Sequence, residues 1–196
     1  MHVFPLLGFI EIKTALLVFH LVGLALGAGV AFFSAILFMK VMHDGYVTKK
    51  EMQILSITST TVAIGLSLLA LSGLGLFLLN QTAYLASAKF LAKMSIVGVL
   101  IVNGILIHNI HMTALKKHVD TNLKKVPGFK IRSYAMYAGG ALSMTSWLSA
   151  LTLGAFRSVP YSYGTIMFVY VGVVIVASIL SLLLHHFTFA RRATRD

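Results

Sequence analysis

The sequence predicts an all-α integral membrane bundle of five transmembrane helices, with the N-terminus outside and the C-terminus cytoplasmic. Three observations predict it. Of 196 residues, 58% are hydrophobic and only 11% are charged, against roughly 25% charged in a typical soluble domain. Five apolar runs each reach the roughly 20 residues that cross a hydrocarbon core. The basic residues collect in alternate loops. A soluble chain this short has too little interior to hide so much apolar surface, whereas a bilayer solvates it directly.

The runs lie near Thr14–Met39, Ile54–Leu79, Phe90–Leu115, Ser133–Phe156 and Gly164–Phe189. The stretch before the first, Met1–Lys13, lacks a basic start and is interrupted by Glu11 and Lys13, so it does not read as a signal peptide. The gaps between runs hold turn and polar residues: His43-Asp44-Gly45, Asn80-Gln81-Thr82, Val126-Pro127-Gly128 and Ser158-Val159-Pro160. No polar stretch is long enough for a second unit, so residues 1–196 form one transmembrane domain.

Orientation follows from Lys and Arg. Lys40, Lys49 and Lys50 lie in the first loop. Lys116, Lys117, Lys124, Lys125, Lys130 and Arg132 lie in the third, and Arg191, Arg192 and Arg195 in the tail. These are twelve of the sixteen basic residues, and they define the cytoplasmic side. The expected location is a bacterial-type inner (plasma) membrane. The net charge of +11 is thereby matched to the anionic inner leaflet rather than to nucleic acid, because it sits in short loops. The lipid bilayer is the first partner, and subunits of a membrane redox complex are the second.

Small residues mark where membrane helices meet. The first run carries Gly23, Gly27, Ala31 and Ala35 at four-residue spacing, and the fourth carries Gly139, Ser143, Ser146, Ala150 and Gly154. His20 lies on the first stripe. Lys93, Val97, Gly104, His108 and His111 share one face of the third run, flanked by Asn103. Val174, Ser178, Ser181 and His185 share a face of the fifth.

Ionisable groups inside a membrane are functional candidates. His20 and Lys93 lie at the outer end of their runs, where the lysine can snorkel outward, pair with a carboxylate or propionate, or ligate a metal when neutral. His108 and His185 lie at similar depth near the inner end, roughly 9–12 Å in at 1.5 Å per residue. That match suits two axial ligands of one haem b, with His108 and His185 on the iron, His111 and His186 as spare candidates, and His20 as a second candidate metal ligand. His43 and His118 are in or near loops.

Other chemistry has less support. Cysteine is absent, which excludes disulfides, cysteine-bound iron–sulfur clusters and covalent c-type haem. There is no P-loop, no Rossmann glycine motif and no His-Glu-x-x-His. The runs hold no carboxylate, which argues against proton- or sodium-coupled transport by acidic relays. Nine methionines keep copper as the alternative, since copper(I) prefers soft ligands. The only close pair at helical spacing that stands out, Met39 and Met42, is at a loop edge.

The stretch His20-Leu21-Val22-Gly23, the Ala70-Leu71-Ser72-Gly73-Leu74-Gly75-Leu76 end of the second run, and Lys93-Met94-Ser95-Ile96-Val97 followed by Asn103 occur in an order that resembles the superfamily of CopD and HemJ membrane proteins. The likeness spans roughly residues 15–118, on patterns of ordinary motif strength. It implies haem b and porphyrinogen oxidation, an oxidoreductase activity, with roles on His20 and Lys93. The His108/His111 and His185/His186 groups are not part of that motif. Three functions follow as expectations: a b-type haem protein passing electrons as a subunit of a respiratory or redox complex; a copper-handling or permease-like protein of CopD type; and a cofactor-free structural accessory subunit.

Overall fold

The computed structural model describes residues 5–6 and 10–190, with side chains from Glu11 to Phe187. Arg191, Arg192 and Arg195 of the tail, and much of the Met1–Lys13 stretch, lie outside the described residues.

The long elements among the described residues are all helices, and two-residue strands β1 (Pro5–Leu6) and β2 (Ile10–Glu11) pair antiparallel. The first long helix consists of α1 (Ile12–Leu24), a π-turn at Ala25–Gly29, and α2 (Val30–Asp44). Then come α3 (Lys49–Leu78) and the short α4 (Gln81–Leu85). The third long helix is α5 (Ala88–Leu106), a second π-turn at Ile107–His111, and α6 (Met112–Lys116). A 3-10 turn at Leu123–Lys125 leads to α7 (Phe129–Ala155) and α8 (Tyr163–Ala190). Among the described residues, four helices are long and apolar enough to cross a membrane: Ile12–Asp44, Lys49–Leu78, Ala88–Lys116 and Tyr163–Phe187.

Each of the five apolar runs is helical, four of them within helices long and apolar enough to span, and most of these helices extend beyond the runs because several ends are capped outside them. Thr48 and Glu51 make a capping box, each side chain bonded to the other's backbone N–H. It starts α3 at Lys49, a turn before Ile54. At α5 the Ser87 hydroxyl alone caps the helix, accepting from the Phe90 N–H at 3.3 Å. Gly45, with φ of 69°, closes α2, and Gly128, with φ of 74°, precedes α7. Both lie in the left-handed region that glycine adopts without steric cost. The expected Asn80–Thr82 gap narrows to Asn80, because α4 begins at Gln81.

The first helix lies along α3 with the two backbones in close approach. A Cβ on Gly23 would stand 2.7 Å from the Leu69 nitrogen, and a Cβ on Gly65 would meet the Gly27 backbone. The small-residue stripe therefore does what such stripes do in membranes, which is to let backbones touch. On the other side α7 packs against both α5 and α8. It holds more buried residues than the other helices do, including Trp147, Ser133 and Ser146. The end of the bundle carrying the 45–48 and 117–128 loops is called the inner end below. There the two loops pair through a bridge between Tyr46 and Asn122.

Candidate functional site

A cavity of about 1000 Å³ opens between the helices towards the inner end. Its walls come from α2, α3, α5, α6, α7 and α8, so it is a property of the whole bundle and of no single sequence segment. Ala31, Leu66, Leu100, Met144 and Trp147 give it an apolar lining, and Ser59, Thr60, His108, His111, Tyr137 and Thr145 are among its polar groups. No Lys, Arg, Asp or Glu lines it. Pockets for small organic ligands have this form: mostly apolar, with a few placed polar groups.

Both histidines on the wall come from the π-turn Ile107–His111. A π-turn adds a residue to one helical turn and re-aims the side chains beyond it, and such turns recur at functional sites. His108 places Nδ1 2.9 Å from the Ser59 hydroxyl of α3, which leaves its Nε2 for other partners. His111 is half-buried against Gly139 of α7, where a Cβ would stand 3.2 Å from its Cε1. Buried Asn103 donates from Nδ2 to the Gly139 carbonyl at 2.9 Å, holding α5 and α7 together beside the histidine.

His185 is placed elsewhere. It is fully buried and lies 4.0 Å, ring centre to ring centre, from Tyr134 and 4.9 Å from Tyr137. The Ser133 hydroxyl donates to the Lys130 carbonyl at 2.7 Å, so it accepts from His185 Nε2–H, also at 2.7 Å. All these partners belong to the first turns of α7. His185 is not on the cavity wall, whereas Tyr137, against which it packs, is. His108 and His185, expected as a pair from their matched depth, do not share one wall here. Depth along two helices agrees, but α7 stands between the inner part of the third helix and α8 and takes the imidazole for itself. His186 is exposed and its ring neighbours Phe187, so it too stands apart from the cavity.

At the outer end, His20 faces protein as its stripe requires. Ser72 donates to the Leu68 carbonyl at 2.7 Å, so its oxygen accepts from His20 Nδ1–H at 3.1 Å. The tautomer is thereby set, and Nε2 keeps its lone pair. The half-buried Lys93 is near enough for its charge to act on His20, and its Nζ would lie 4.0 Å from a Cβ on Gly154 of α7. The structure therefore holds His20 against α3 and Lys93 towards α7, both at the outer end, and brings His108 and His111 to the inner cavity.

The serines at positions 59, 72 and 133, which orient three of the histidines, were not singled out by sequence reasoning, and Trp147 was not either. Serine is common inside these helices, and the one usable signal is a serine at a histidine's depth on another helix. Such a signal requires the helix neighbours to be known first.

No family model matches the chain, and neither a curated protein nor a solved structure matches it.

Proposed function

We propose that this chain is a membrane-embedded b-type haem protein that passes electrons, working as a subunit of a respiratory or redox complex. The observation that carries this reading is the uncharged cavity with His108 on its wall, oriented from behind by Ser59. A histidine that ligates a metal usually has its other ring nitrogen held by a hydrogen-bonding partner, which fixes ring direction and tunes basicity. Ser59 supplies that partner.

The residues present fit the group. The volume is at the upper end of the roughly 300–1000 Å³ range of ligand pockets, and the apolar walls suit the face of a flat macrocycle. His108 would hold the iron through Nε2. His111 borders the same space, and Arg132, one helical turn before the lining residue Met136, is a cation available to a propionate. When bound, haem b supplies a one-electron couple, tuned by axial ligand, burial and hydrogen bonding. The protein's own part is to hold His108 in direction, to exclude water with Leu66, Leu100 and Trp147, and to keep charge away from the ring.

The same reading has five crossings, an outer N-terminus and a cytoplasmic C-terminus. The fifth crossing is α7, less apolar than the others but packed along α5 and α8, both long and apolar enough to span. Its Ser133, Thr145, Ser146 and Ala150 are buried against neighbouring helices. The likeness to the CopD and HemJ superfamily would add an outer role for His20 and Lys93, and the fixed tautomer of His20 favours it. Copper is the alternative occupant.

The test is spectroscopic. Purified protein should show a Soret band and a reduced-minus-oxidised α-band, and His108→Ala should remove them while the protein stays inserted. Bound copper without haem on metal analysis, or an unchanged haem spectrum in His108→Ala, would overturn the assignment.

A further inference from the structure

The cavity is closed below and open at one side. Below, the Leu123 N–H donates to the Gly45 carbonyl and the Asp120 N–H to the Val47 carbonyl, both at 2.9 Å. The Tyr46 hydroxyl donates to the Asp120 carbonyl at 2.7 Å. These bonds draw the two inner loops into a plug. Val47 and Leu123 are fully buried in it, in one core with Leu55, Leu115, Met136 and Tyr137, and the last four also line the cavity. A molecule arriving from the inner aqueous side meets packed protein.

The side between α3 and α5 differs. Helix α3 meets the third helix at its inner end, through α6, and at its outer end, where it touches the loop helix α4 and Phe77 stacks on Phe90 of α5 at 5.6 Å. Between those points α3 and α5 are not packed on each other. Ala63 and Ser67 of α3 and Ile101 of α5 are all exposed there, yet they line the cavity together with Gly104. The cavity therefore runs out into the zone that lipid chains occupy. The Ser59–His108 hydrogen bond crosses the inner end of this slot.

We infer that the slot between α3 and α5 is a lateral door through which the cavity takes a flat, bilayer-dissolved tetrapyrrole, with the Ser59–His108 bond as its latch. The choice of occupant rests on the haem reading, whereas the door rests on packing alone. Charge complementarity selects the occupant's class. The walls carry no charge, while exposed Lys116 and Arg132 stand at the inner rim, one following the lining residue Leu115 and the other one helical turn before the lining residue Met136. A molecule with an apolar body and carboxylates along one edge matches that distribution. A lateral path also spares such a molecule from crossing the charged loops.

The chain has no cysteine and a single tryptophan, Trp147, on the cavity wall. Both facts make the test clean. Ala63→Cys and Ile101→Cys are combined, and the protein is placed in nanodiscs and joined across the slot with a cleavable bifunctional thiol reagent. Haemin is supplied from vesicles, and loading is followed by Trp147 quenching and the Soret band. Loading should slow by about ten-fold or more in the joined protein, as expected when access is gated, and recover on cleavage with the same final Soret position. Loading at the same rate in joined and cleaved protein would overturn the door. Lipids brominated midway along their acyl chains give a haem-free reading: they should dim Trp147 in the cleaved protein and much less in the joined one. Equal dimming in both would also overturn the door, whereas bromolipid response without any Soret band overturns the tetrapyrrole and leaves the door standing. Dimming that persists undiminished after haem loading would assign the space to a lipid chain instead.

Discussion

The indole of Trp147 occupies the space that a side chain on Gly27 would need. One residue belongs to the π-turn of the first helix and the other to α7, so this contact joins the two sides of the bundle next to the cavity. Gly27→Val should force the ring aside and destabilise the protein by about 1–3 kcal/mol, the usual cost of overpacking. Gly29→Ala in the same π-turn should be close to neutral, because nothing lies within 4 Å of a Cβ there. Thermal unfolding in detergent, with Trp147 emission as the probe, measures both. Equal midpoints for the two variants would contradict the packing.

His185→Ala should cost stability and leave the haem spectrum alone. The substitution removes a buried imidazole, its hydrogen bond to Ser133 and two aromatic contacts. Unsatisfied buried polar groups cost about 1–3 kcal/mol each. Loss of a b-type spectral component in a protein that remains folded would return His185 to the iron.

Ser59→Ala separates a ligand from the residue that positions it. Removing an outer partner of a metal-bound histidine typically weakens metal affinity by about 10–100-fold. The variant should therefore still show a Soret band at saturating haem, with a shifted midpoint potential and weaker binding. Titration and potentiometry together read this. An identical affinity and potential would mean that Ser59 only packs.

Topology is open to a direct check. A reporter fused after Asp196 should report the cytoplasm, and one inserted between Gln81 and Ala88 should report the outside. The basis is the placement of twelve of the sixteen basic residues at one end. An external C-terminus would remove α7 as a crossing or reverse the whole bundle.

The sequence by itself determined that the chain is built of long apolar helices, roughly where each begins and ends, and which faces carry small residues. Hydropathy, capping and helical periodicity are sums over neighbours in the chain, and the chain contains them. Gly23, Gly27 and Ala31 could thus be assigned to a contact face, and Val174, Ser178, Ser181 and His185 to another, with all seven buried or half-buried in the fold. The tertiary structure alone decided which helix each face meets. His108 and His185 are level by their distance along parallel helices, but one bonds Ser59 of α3 and the other Ser133 of α7. Depth is fixed by position along one helix. The direction of a side chain, and the partner waiting there, depend on how helices are arranged around one another and on the extra residue in the Ile107–His111 turn, which periodicity at 100° per residue does not contain. The cavity is a product of that arrangement too, since it exists only where six helices fail to meet.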